Sequence, residues 1–227
     1  MSALPSGISN SAGEAAGSQL PGPHPVLAPV GDPRVLPLDR PVTLAGSGPR
    51  CRLNLRSSTV SKVHAVLVRD GGVVYVRDLA SREGVKVDGD LVRECLLSGG
   101  ERVEFGKFEF VFEGVVSTRM PPRAPGGSLM GVEIESRTMV IGRRTTCDIV
   151  IDLEEVSSAH AILLEHNGRR YVRDLGSRTG VQLNGRRVQW EYLKGGDVIT
   201  IGGREMVYVE AEAVRAEPKM RLAVASG

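Results

Sequence analysis

The segment YVRDLGSRTGV, residues 171–181 of a chain of 227 residues, is the most informative part of the sequence for the fold. It joins a short run of alternating apolar and charged residues to a turn that contains glycine, which is typical of a β-strand entering a loop. Nearly the same sequence, YVRDLASREGV, occupies residues 75–85, which lie 96 positions earlier. Two copies of one unit at a fixed separation indicate a duplicated domain.

The same separation relates residues 46–113 to residues 142–209 without a gap, and about 25 of the 68 pairs are identical. VSKVHAVL (60–67) pairs with VSSAHAIL (156–163), and GGERVEFG (99–106) pairs with GGDVITIG (195–202). This period is much longer than the roughly 20–50 residues of solenoid repeats. Each copy is therefore expected to bury a core of its own.

Within each copy the apolar segments are short, rich in Val, Ile, Tyr and Phe, and separated by turn residues. AVLVRD (65–70) and VVYVRD (73–78) flank a Gly-Gly turn, and AILLEH (161–166) stands before Asn-Gly, so both pairs predict β-hairpins. Neither copy contains an amphipathic helix of ten residues. The sequence predicts an all-β protein of two tandem antiparallel β-sandwiches.

Composition sets the expected domain boundaries. The first 30 residues are rich in Ser, Gly, Ala and Pro and are predicted to form a disordered arm. Residues 115–128 share that bias and are predicted to form a flexible linker. The sandwiches are then expected at residues 31–114 and 129–212, followed by a tail at 213–227.

Several classes of function are disfavoured. With 29 Lys and Arg against 27 Asp and Glu, the charge is too balanced to favour nucleic acid or a membrane surface as a partner. The three cysteines lack the spacing of a zinc site or a disulfide framework, and we expect free thiols, no metal and a cytoplasmic location. No catalytic motif is present, so we expect neither an enzyme nor a cofactor nor a small-molecule substrate.

Five blocks of the second copy follow one another in a fixed order: VIGRRTTCDIVI (140–151), VSSAHA (156–161), YVRDLGSRTG (171–180), NG (184–185) and GGDVITIG (195–202). Their order and spacing resemble the forkhead-associated (FHA) domain family, and the same blocks recur in the first copy. The resemblance implies an eleven-stranded sandwich of the FHA/SMAD-like type. It also implies binding of phosphothreonine peptides by loops at one end of that sandwich.

The resemblance assigns roles to residues of the second copy. Arg143 occupies the position of the family's phosphate-binding arginine, and Ser157 that of its phosphate-contacting serine. His160 matches the histidine that braces the serine loop. Gly142 and Gly180 are expected to serve backbone geometry.

Other positions of the second copy depart from the family pattern. Thr179 replaces the asparagine that contacts the peptide backbone, and Ser158 stands where many members carry a basic residue. Arg144 and Arg178 are the candidates to compensate. The carboxylates of Glu154 and Glu155, just before the serine block, would oppose a phosphate.

The first copy departs further. Ser47 replaces the phosphate-binding arginine, and Glu83 stands in place of the asparagine. Ser61, Lys62 and His64 are retained. We therefore expect this copy to be degenerate, serving as a spacer, a dimerisation surface or a phosphate-independent interaction site.

Two functions follow from these patterns. The first is phosphothreonine-dependent binding by the second domain, with a Ser/Thr kinase or its substrate as the partner. The second is a phosphate-independent scaffold or oligomerisation protein. Convergence of Arg143 and Ser157 on one surface discriminates between them.

Overall fold

The computed structural model describes residues 8–10, 24–114 and 120–211, and within these ranges every regular element is a β-strand. The prediction of an all-β protein with two sandwiches is confirmed. No helix in this part of the chain is long and apolar enough to cross a membrane.

The first sandwich contains two sheets, with strand orders β1-β5-β4-β6-β7-β10 and β3-β2-β12-β11-β8-β9. The strands are β1 (Ile8–Asn10), β2 (Val26–Pro29), β3 (Leu36–Pro37), β4 (Val42–Gly46), β5 (Leu53–Leu55), β6 (Ala65–Asp70), β7 (Val73–Asp78), β8 (Val85–Val87), β9 (Asp90–Val92), β10 (Glu94–Leu97), β11 (Arg102–Phe105) and β12 (Phe108–Glu113).

The second sandwich repeats this plan, with strand orders β16-β15-β17-β18-β21 and β14-β13-β23-β22-β19-β20. The strands are β13 (Gly127–Leu129), β14 (Val132–Glu133), β15 (Thr138–Gly142), β16 (Ile149–Val150), β17 (Ala161–His166), β18 (Arg169–Asp174), β19 (Val181–Leu183), β20 (Arg186–Val188), β21 (Trp190–Tyr192), β22 (Val198–Ile201) and β23 (Arg204–Glu210).

The predicted hairpins are present. Asp70 pairs with Val73 across Gly71 and Gly72, whose φ angles are 55° and 89°. His166 pairs with Arg169 across Asn167 and Gly168, with φ angles of 50° and 68°. Two positive φ angles in a two-residue loop define the type I′ turn that matches the twist of a hairpin.

Not every strand pair is antiparallel. β4 and β5 are parallel, as are β15 and β16. The connecting loop of the first copy folds back on itself because the amide of Cys51 donates to the carbonyl of Gly48, 3.1 Å away. The matching bond in the second copy joins Cys147 to the carbonyl of Arg144 at 3.0 Å. This tight return brings a short second strand alongside the strand that precedes it.

The boundaries differ from those set by composition. β2 begins at Val26, within the segment predicted as an arm, and pairs with β12 and β3. The side chains of Val26 and Leu27 are buried, which holds this segment in the first sandwich although prolines stand at positions 25 and 29. β13 begins at Gly127, within the predicted linker. Residues 1–7 and 11–23 of the predicted arm, and the predicted tail, lie outside the described residues.

The linker residues that the structure describes are anchored. Arg123 pairs with the buried carboxylate of Glu165 at 2.9 Å. The carbonyl of Pro121 accepts a hydrogen bond of 3.1 Å from Arg137, and the side chain of Ala124 is buried. Residues 120–126 therefore pack against the second sandwich, which the Pro and Gly content of the linker does not reveal.

The two sandwiches pack against each other. In β6, Ala65 and Leu67 belong to the core of the first sandwich, whereas Val66 and Val68 point from the other face into a third apolar cluster. That cluster also contains side chains of the second sandwich. These side chains are Val140, Cys147, Ile162, Leu164 and Leu175. Corresponding sheet faces of the two copies thus cover each other.

Polar contacts surround this shared apolar cluster. The carboxylate of Asp148 pairs with Arg77 and, at 3.0 Å, with Arg93, both from the first sandwich. The amide of Asn167 donates to Asp70 at 2.8 Å. Because these bonds join the two sandwiches at separate points, they fix the orientation of one sandwich relative to the other.

Candidate functional site

The loop that follows β15 carries the predicted phosphate-binding arginine. Gly142 ends this strand, and a Cβ atom at that position would lie 2.3 Å from the carbonyl oxygen of Ser158. Glycine is required here because the two loops approach so closely. The approach allows the amide of Arg143 to donate to the carbonyl of Ser157 at 3.0 Å. The arginine and the serine are therefore tied together through their backbones.

His160 braces the serine loop, as the resemblance implies. The amide of Ser157 donates to Nδ1 of the imidazole at 3.1 Å, and Nε2 lies 3.0 Å from the carbonyl oxygen of Gly180. An accepting Nδ1 leaves the proton on Nε2, so the ring is neutral and donates to that carbonyl. The side chain is fully buried, and burial lowers the pKa of His160 below its ordinary value.

The loop after β18 is held by two side chains. Asp174 accepts hydrogen bonds from the amide of Gly176 at 3.1 Å and from both the amide and the hydroxyl of Ser177. The hydroxyl oxygen of Ser157 accepts from the amide of Arg178 at 3.2 Å. The Ser157 hydroxyl hydrogen can then be directed at a ligand, since its oxygen already has a donor.

These loops line a groove of about 440 Å³ that both sandwiches share. Arg143 is exposed and Ser157 is half-buried, and both line it. The basic residues of its wall are Lys62, Arg82, Arg143, Arg144 and Arg178. Glu154 is the acidic residue of the lining. An excess of cationic groups around a concave surface suits an anionic ligand.

The remaining predicted residues of the second copy fall in two places. Arg144 and Ser158 line the groove, as does Arg178. Both guanidinium groups also donate hydrogen bonds to backbone carbonyls. Arg144 donates to the carbonyl of Ala80 in the first sandwich, and Arg178 donates to the carbonyl of Glu154. Each keeps further N–H donors for a ligand.

Thr179 lies elsewhere. It lines a neighbouring open hollow together with Glu155, and its hydroxyl donates to the backbone carbonyl of that glutamate at 3.1 Å. Of the two carboxylates expected to oppose a phosphate, Glu154 alone belongs to the groove lining.

The first copy keeps the scaffold of the site without its arginine. The amide of Ser61 donates to Nδ1 of His64 at 3.2 Å, and Nε2 of that ring lies 2.8 Å from the carbonyl of Gly84. The hydroxyl of Ser61 accepts from the amide of Arg82 at 3.0 Å. At the arginine position, the hydroxyl of Ser47 donates to the carbonyl of Val60 at 3.1 Å.

Sequence reasoning placed Lys62 in a separate, degenerate site and missed that it shares a groove with Arg143. The available signal was the run of consecutive apolar residues in β4, β6, β15 and β17. A sheet with one face in water alternates apolar and polar residues, whereas continuous apolar runs indicate that both faces are buried.

The sequence model of the FHA domain matches residues 43–106 and 139–202, more than half of the chain. The glycogen accumulation regulator GarA of Mycolicibacterium smegmatis is 39% identical over 75 residues, which cover 33% of this chain and 48% of that protein. The oxoglutarate dehydrogenase inhibitor of Corynebacterium diphtheriae is 40% identical over 75 residues, covering 33% and 52%.

The chain thus spans about half the length of these two relatives. Among solved structures, EmbR of Mycobacterium tuberculosis in complex with a low-affinity phosphopeptide superimposes with a TM-score of 0.40 at 28% identity. That match covers 43% of this chain and 26% of EmbR.

Proposed function

Because the chain belongs to the FHA domain family, with one domain in each half, we propose that it binds phosphothreonine-containing segments of other proteins through its second domain. The observation that carries the proposal is the meeting of Arg143 and Ser157 on one basic groove, joined by a backbone hydrogen bond of 3.0 Å. A phosphate dianion needs a guanidinium fork backed by hydroxyl and amide donors on rigid loops.

The second domain is favoured over the first for a chemical reason. Arg143 supplies an exposed guanidinium, whereas Ser47 of the first domain is bound to a neighbouring carbonyl. A phosphothreonine carries about −1.5 to −2 charges at neutral pH. Its preferred location is therefore the side of the groove that carries Arg143.

The chain is proposed to be a regulatory binding protein of Ser/Thr kinase signalling, without catalytic activity. Its partner would be a phosphorylated kinase or a substrate of one. The names of the two relatives, a regulator and an inhibitor, support such a role. A cytoplasmic location agrees with the three free cysteines, two of which are buried.

The test is fluorescence anisotropy of the intact chain with a degenerate peptide pool centred on phosphothreonine and with the same pool unphosphorylated. We expect micromolar binding of the phosphorylated pool, about −8 kcal/mol. Added salt should weaken this binding. Arg143→Ala should weaken it by about 10- to 100-fold, since a charged hydrogen bond contributes roughly 1.5–3 kcal/mol.

The matched control is Arg186→Ala, because Arg186 is also an exposed arginine of the second domain but pairs with Glu191 on another sheet edge. This variant should bind like the wild type. Equal affinity of the wild type for phosphorylated and plain pools would refute the proposal and favour a phosphate-independent scaffold.

A further inference from the structure

The groove has two walls, and the first domain forms one of them. Ser61, Lys62 and Arg82 of the first domain line it opposite the arginine and serine of the second. Its apolar floor also comes from both domains, with Leu79 from the first and Leu175 from the second. A ligand held at the second domain's loops therefore lies beside side chains of the first.

Contacts between the loops fix the position of one wall of the groove relative to the other. Arg144 of the second domain donates to the carbonyl of Ala80, which lies two residues before Arg82. Arg50 of the first domain pairs with Asp174 at 3.2 Å, and Asp174 organises the loop that leads to Arg178. Each domain thus binds the loop that the other domain contributes to the groove.

The charge of the groove exceeds what one phosphate can neutralise. A phosphothreonine placed at Arg143 has Arg144 and Arg178 as neighbours on the same wall. Lys62 and Arg82 on the other wall are exposed, and they face the groove without a carboxylate partner in the described part of the chain. Two such cations on a shared surface favour a ligand with a second anionic group.

We propose that the first domain acts as a specificity wall, on which Lys62 and Arg82 select phosphothreonine segments that carry a second anionic side chain, either a carboxylate or another phosphate. This proposal rests on the proposed function of the second domain. It assigns the first domain a binding role although that domain lacks the phosphate-binding arginine. One ligand would contact both domains at once.

The experiment uses the intact chain and one phosphothreonine peptide with neutral flanks. Glutamate is placed at each flanking position in turn, and a second series places phosphothreonine there instead. We expect at least one position in each series to raise affinity by about 5- to 20-fold, in line with one added charged hydrogen bond. Comparison of the two series separates carboxylate from phosphate selection.

The decisive variant is the double substitution Lys62→Ser, Arg82→Gln. Serine is the residue at the corresponding position 158 of the second domain, so the loop tolerates it. We expect this variant to lose the gain from the second anion, which is measured as the ratio of its own affinities for the peptide with the second anion and for the peptide with neutral flanks. The control is the double substitution Lys86→Ser, Arg102→Gln, which should keep the gain. These two basic residues lie on β8 and β11, in the sheet of the first domain that does not pack against the second domain.

The failures are distinguishable. If the peptide with neutral flanks binds no better than its unphosphorylated form, the proposed function fails. If it binds normally but no second anion improves affinity, or the Lys62 and Arg82 variant keeps the improvement, the specificity wall is wrong and the proposed function stands.

Discussion

The hydroxyl of Tyr75 in the first domain donates a hydrogen bond of 2.9 Å to the backbone carbonyl of Glu165 in the second. Both residues are buried, and the glutamate side chain pairs with Arg137 at 3.3 Å and Arg170 at 2.9 Å. Burial raises the pKa of Tyr75, so the hydroxyl remains a donor at ordinary pH. A polar bond inside an apolar contact has a defined geometry, which fixes how the two domains face each other.

Tyr75→Phe tests this relationship. The substitution leaves a buried carbonyl without its donor, and we expect the free energy of unfolding to fall by about 1–2 kcal/mol. Urea unfolding followed by circular dichroism measures the loss. The matched control is Tyr171→Phe at the corresponding position, since the hydroxyl of Tyr171 makes no hydrogen bond within residues 24–114 and 120–211. Equal losses in both variants would contradict the assigned role.

Thr179→Asn is expected to strengthen phosphothreonine binding. The substitution installs the amide that the family pattern places at this position, and one further neutral hydrogen bond contributes about 0.5–1.5 kcal/mol, or roughly 2- to 10-fold in affinity. Peptide anisotropy measures the gain. Thr145→Asn, at an exposed threonine that lines neither the groove nor the neighbouring hollow of Thr179, should leave affinity unchanged. Unchanged or weaker binding by Thr179→Asn would show that the peptide does not pass this position.

The two buried histidines make stability depend on pH. Burial is the main cause that lowers the pKa values of His64 and His160 from 6.5. As pH falls below 6.5, the unfolded chain takes up protons that the folded chain does not, so the free energy of unfolding decreases. The decrease ends below the folded pKa values, where both states are protonated.

Urea unfolding between pH 7.5 and pH 5.5 measures this decrease, and NMR titration of the imidazole protons measures the pKa values in the folded chain. His160→Gln should reduce the pH dependence of unfolding, because carboxylate titration is common to both proteins and cancels in the comparison. Folded-state pKa values at or above 6.5 would be incompatible with the buried, neutral rings.

The contacts among Ser157, His160 and Gly180 lie within one domain. Ser157 and His160 are three residues apart, and His160 contacts Gly180 in the loop that follows the hairpin of β17 and β18. Their arrangement follows from the fold of a single domain and from the order of its sequence blocks. The hairpin turn at Asn167 and Gly168 follows from residue chemistry at two positions. The strand Val26–Pro29 was missed because its prolines and a Ser- and Gly-rich neighbourhood concealed four residues of strand.

The sequence alone established two sandwiches and their turns, because periodicity and turn chemistry act over a few residues, and the resemblance to the FHA family assigned the serine, histidine and arginine positions of the second copy. The tertiary structure, in contrast, places Val66 and Ile162 in one buried cluster and Lys62 in the groove of Arg143. An apolar side chain specifies burial without specifying its partner. The docking of the two domains, and the composite groove it creates, depend on the fit of whole surfaces.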